Sequence, residues 1–208
     1  MSKKIIYKAT GIIGILSCIA VLAADLIGIA LHEAHDPISD TISMLAIGKY
    51  GWIQDLGIDI LAVGFFALAV GLYTWKSSGT KWIIGLIILI LIGVDFIMIA
   101  EHNQYAGRPG HKIHRKLVYA LALLFPAVVL LTSFSLKMLK PYLKKFSFWV
   151  AGLWIVLAPL LPLIPDYIDG AYERLVTTLI VIWVSTVSYN LIFSYKKTEK
   201  ANADKFNL

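Results

Sequence analysis

Histidines and acids fall at helical intervals in a chain that is otherwise apolar. Asp25 and His32 are seven residues apart, with His35 and Asp36 one turn beyond His32. A continued helix would carry all four on one face. Asp95 and His102 repeat the interval. His111 and His114 are separated by two residues and followed by Arg115 and Lys116; imidazoles at i and i+3 can share a metal ion. The chemistry this suggests is metal-assisted. His32, His35, His111 and His114 would supply imidazoles to zinc or another divalent ion. Asp95 or Glu101 would orient a ligand or act as general base toward bound water, with Asp40 and Glu173 as further candidate carboxylates. Arg174, Arg115 and Arg108 would hold a phosphate or headgroup through paired N–H donors, with Ser43 beside them. His32-Glu33-Ala34-His35 is not the zinc-protease pattern, which needs two residues between the Glu and the second His. The plainer alternative stands beside this: polar side chains near a headgroup boundary are often only hydrated, and intramembrane acids often only fasten helices.

These residues must be held by membrane-spanning helices. The chain has 208 residues, 59% apolar and 15% charged, and carries a net charge of +6. Its mean hydropathy is +0.77. A soluble domain is about one quarter charged, so the composition argues against a soluble enzyme or a nucleic-acid binder. Cys18 is the single cysteine, which excludes a disulfide framework or a cysteine-only metal site.

A helix needs about 20 mostly apolar residues to cross a bilayer core. Segments 9–31, 52–75, 82–100, 117–139, 148–165 and 174–195 meet that requirement. In hydrocarbon the backbone must bond internally, so each is expected to be helical. The fold expected is all-α, a polytopic membrane protein of six transmembrane helices in one domain, with residues 196–208 as a tail. Between the first two spans, Asp36-Pro37 and a helical pattern closed by Gly48 predict a short interfacial or re-entrant helix. An N-terminal secretory signal is disfavoured, because the first apolar run exceeds a signal core.

Lysines at the N-terminus, in the second and fourth connections and in the tail hold most of the 19 basic residues on one side. The positive-inside rule makes that side cytoplasmic, in a cell membrane crossed several times with both termini inside. Most acids and all five histidines then lie toward the outer side. The +6 is therefore a difference between two faces. Gly57, Gly64 and Gly71 recur every seven residues, a stripe on which a neighbouring helix can approach closely. Pro126 bends the fourth span and Pro159, Pro162 and Pro165 the fifth, shaping the packing or opening an outer cavity.

The stretch from Asp36 through Ala46 (Asp-Pro-Ile-Ser-Asp-Thr-Ile-Ser-Met-Leu-Ala), then Gly48-Lys49-Tyr50-Gly51-Trp52, resembles the signature loop of a bacterial and archaeal membrane family, domain of unknown function 998. The His111-x-x-His114 pair and Glu173-Arg174 at the last span are similar to that family's further features. The resemblance covers nearly the whole chain and implies a six-helix membrane fold without implying an activity. Within the loop, Asp40 would cap the short helix, or with Ser43 face the histidines.

Three functions remain open on the sequence. One is a metal-dependent intramembrane hydrolase or transferase acting on a lipid or isoprenoid. The second is a lipid or small-molecule carrier or binding protein without chemistry. The third is electron transfer through a single haem near the outer side. The bilayer is the partner common to all three.

Overall fold

The computed structural model describes residues 3–75, 79–102 and 111–194, the side chain of His111 excepted. Among these residues every regular element is helical, and six helices are long and apolar enough to cross a membrane. They are α1 (Lys3–Leu31), α2 (Gly51–Trp75), α3 (Thr80–His102), α4 (His111–Leu139), α5 (Tyr142–Leu157) and α6 (Asp169–Ile192). Each packs on the next, and α6 returns to pack on α1, closing the ring. The α5–α6 seam is the loosest in that circuit. Leu26, Val156 and Trp149 are among many large apolar side chains on the outside, where a membrane helix meets lipid tails.

Helix boundaries run beyond the apolar runs at several ends. α4 begins at His111, so His111 and His114 stand on its first turn. α5 stops at Leu157 and continues as a 3-10 helix over Ala158–Leu163, because Pro159 and Pro162 cannot donate to an α-helical ladder. The short helix expected between the first two spans is a 3-10 helix of 5 residues, Ile42–Ala46. It precedes Gly48, whose φ of 96° suits a residue without a Cβ.

The glycine stripe of α2 meets a matching stripe on α1. A Cβ at Gly57 would strike Ala24, one at Gly64 would strike Ser17, and one at Gly71 would strike Thr10. Thr10, Ser17 and Ala24 are themselves seven residues apart, so two small-residue rows mate along the whole contact. This close approach places Asp25 on α1 beside the start of α2. Pro126 has a different partner. Lacking an N–H, it leaves the carbonyl four residues earlier, on Ala122, without a helical donor. The Trp154 indole of α5 donates to that carbonyl at 3.0 Å. Phe125 packs against both Trp154 and Trp183, and Trp183 donates to Ser147 Oγ at 3.1 Å.

Gly64→Ala should lower unfolding stability by about 1–3 kcal/mol, the usual cost of overpacking. Ser17→Gly in the same chain should restore part of the loss. Thermal melting in detergent micelles checks both; equal stability of Gly64→Ala and the unaltered protein would contradict the mated rows.

Candidate functional site

The connection between α1 and α2 folds into a compact turn that docks on the start of α6. Asp36 Oδ1 accepts from the Ile38 N–H at 2.9 Å, and Asp40 Oδ2 accepts from the Asp36 N–H at 2.9 Å. The Asp40 N–H donates to the Asp36 carbonyl at 2.7 Å, closing the turn. The first N–H groups of a helix lack internal partners; Ala171, near the beginning of α6, donates its N–H to the Ile38 carbonyl at 2.9 Å. At Gly170 a side chain would collide with the Asp40 carbonyl, so only glycine permits this approach.

Arg174 fixes the arrangement. Its Nε and Nη2 donate to Asp25 Oδ2 and Oδ1, both at 3.1 Å, in a two-pronged pair. Nη1 donates to the carbonyls of Pro37 (3.0 Å), Asp40 (2.9 Å) and Gly170 (3.2 Å). Nη2 also donates to His35 Nε2 at 3.2 Å. A guanidinium has five N–H donors and accepts nothing, so every donor is engaged and His35 Nε2 must be an acceptor. His35 is therefore neutral, with its proton on Nδ1, which faces Asp40 Oδ2 at 3.8 Å. Burial lowers the His35 pKa, and the neighbouring Arg174 charge lowers it further. Asp40, Asp25 and His32 act on it more weakly, the two acids upward and His32 downward.

The 3-10 helix is capped from across the fold. Glu173 Oε2 accepts from the Ile42 N–H at 2.7 Å. Asp40 was expected to cap this helix and does not, because its carboxylate is turned back to Asp36. Ser43 Oγ lies 3.1 Å from Thr41 Oγ1.

Beneath the docked turn is a cavity of about 270 Å³, formed by residues of all six helices. Its walls are chiefly apolar, including Leu61, Phe96, Leu121 and Trp154. Leu161 and Pro162 contribute from the 3-10 segment after α5, so the proline cluster shapes the wall. The polar side chains bordering it include Asp25, Ser43, Gln54, His114, Glu173 and Arg174. Gln54 is 1% exposed, and neither its Nε2 nor its Oε1 has a hydrogen-bond partner.

The structure thus joins Asp25, His35, Asp40, Glu173 and Arg174 in one network, with Ser43 and His114 on the adjoining cavity. His32 packs edge-on against His35, ring centres 5.8 Å apart. Asp95 is buried in α3 with Oδ2 unpartnered, and it does not border the cavity. Glu101 and Arg115 are exposed. Arg108 and the His111 side chain lie outside the described residues, as does the chain beyond Ser194. Among the described residues no three His, Cys, Asp or Glu side chains are grouped to hold a metal ion. The physical reason at His35 is plain: its Nε2 lone pair is taken by Arg174. In the sequence Gln54 is marked only as a lone amide in an apolar span.

Two consequences can be measured. Arg174→Lys should destabilise by about 1–3 kcal/mol, because a compact ammonium with three donors cannot serve all of these acceptors. A melting temperature equal to the unaltered protein would contradict the hub. The second concerns pH. An unfolded histidine titrates near 6.5, and folded His35 lies lower, so between the two values the unfolded chain binds more protons. The His35 contribution to stability is complete above pH about 6.5 and is lost as pH falls toward the folded value. His35→Gln accepts from Arg174 without titrating, so its stability should fall less between pH 7.5 and 5; parallel curves would count against this.

No curated protein and no solved structure matches the chain. The family described as Protein of unknown function (DUF998) matches residues 13–190, which include the docked turn, the cavity and the Glu173-Arg174 pair. The chain belongs to this membrane-protein family.

Proposed function

We propose that the protein binds one lipid-like amphiphile, its apolar part in the cavity and its polar end at Gln54, Ser43, His114 and Glu173. The observation that carries this reading is the cavity itself, apolar along its walls and polar where the turn covers it. Ligand sites commonly have this composition, with few polar groups fixing orientation. Leu22 and Tyr119 border the cavity and are 46% and 49% exposed, an arrangement suited to entry of a ligand from the bilayer. Binding is favoured over phosphate-group chemistry because the Arg174 donors are already committed within the protein. In this reading Arg174, Asp25, Asp40 and His35 hold the site together. The excess of lysine at the end bearing the termini favours a cytoplasmic location there, which puts the cavity in the outer half of the membrane.

Ala122→Phe and Val118→Phe each place a ring at the cavity wall. Native mass spectrometry of protein released from lipid nanodiscs should show a one-to-one lipid adduct that both variants lose while melting as folded proteins. An undiminished adduct in both variants, or none in the unaltered protein, would overturn the proposal.

A further inference from the structure

Gln54 and the charges around it narrow the ligand. We infer that the bound amphiphile ends in an uncharged hydroxyl, not in a phosphate, a carboxylate or an ammonium group; this rests on the cavity being a ligand site. Gln54 is buried on α2, borders the cavity, and has both its amide donor and its amide acceptor unmet. An amide held away from water without partners is costly, and such groups are rare unless something satisfies them. A hydroxyl offers one donor and two acceptor lone pairs, so a single oxygen can answer both ends of the amide. An ammonium only donates, and an ionised carboxylate only accepts.

The charges agree. The described cavity lining carries the carboxylates of Asp25 and Glu173 against the single guanidinium of Arg174. That guanidinium is neutralised by Asp25 and has each donor engaged, while Glu173 accepts from Ile42. An anionic head would enter beside acids with no uncommitted cation among the described lining residues. In a low-dielectric cavity that repulsion is scarcely screened. His114 and Tyr119 complete the titratable lining. The Gln54 amide atoms are shielded in the ligand-free protein, so contact with the head requires rotation about the side-chain torsions.

The test uses farnesol, farnesyl monophosphate and farnesylamine, which share one chain and differ in the head. Binding of each to nanodiscs containing the full chain, less binding to empty discs, is measured at pH 8. Farnesol should bind at least ten-fold more tightly than either charged counterpart. Gln54→Leu should weaken farnesol about ten-fold without lowering the melting temperature of the ligand-free protein, since it removes an unpartnered amide. Gln54→Met repeats the test with a second apolar side chain. Equal or tighter binding of the phosphate or the amine, or unchanged farnesol binding in both Gln54 variants, overturns the headgroup assignment. If the charged probe binds and the Phe variants abolish that binding, the cavity reading survives the loss of the headgroup. If no probe binds above empty discs and no lipid adduct is found, both readings fall.

Discussion

A guanidinium at the edge of an apolar bundle cannot leave a donor idle, and the architecture around the docked turn follows from that requirement. Arg174 gathers a carboxylate from α1, an imidazole and two carbonyls from the following connection, and a carbonyl from its own helix. Removing Asp25 would leave charged donors poorly solvated, at a cost well above that of an ordinary hydrogen bond. The pair with Asp25 cancels the net charge, and the carbonyls satisfy what the carboxylate cannot reach. Bilayer proteins tolerate irregular backbone only where its polar groups find partners. The segment from His32 to Tyr50 meets that condition partly within itself and partly through α6.

This network gives a physical reason for two motifs far apart in the chain. The Asp36–Ala46 stretch and Glu173-Arg174 are the two halves of one contact. Glu173 secures the beginning of the 3-10 helix while Arg174 secures the turn before it. Neighbouring residues on α6 thereby hold consecutive parts of the connection, and Gly170 provides the room.

The six helices were legible because hydrocarbon permits no other backbone arrangement for such apolar runs. The glycine stripe on α2 was also legible, since small residues at heptad spacing state a close approach. Its mate on α1 was harder to see, because Thr10, Ser17 and Ala24 share size and not type. The site was legible only in part. Residue types singled out Glu173, Arg174 and the histidines, yet type alone cannot tell an arginine that clamps a ligand from one that clamps its own chain. That depends on acceptors over a hundred residues away. The cap on the 3-10 helix illustrates the same limit: Asp40 stood at the expected local position, and a distant glutamate took the bond. Gln54 is not legible in the sequence, because its significance is a lack of partners, which only the packed bundle reveals.

The ring closes between the first helix and the last, which bears on how the protein is made. Arg174 follows Asp25 by 149 residues. At ordinary synthesis rates of 5–20 residues per second, roughly 7 to 30 s separate the two. Throughout that interval Asp25 has entered the membrane region without its counter-charge, and the turn at Pro37 has no arginine to receive its carbonyls. An uncompensated acid there is costly. Until α6 arrives, Asp25 must remain hydrated, bind a proton or be sheltered by the insertion machinery. The last helix is thus the one that makes the first helix comfortable in lipid, and a chain halted before it would leave an unpaired carboxylate for membrane quality control to recognise.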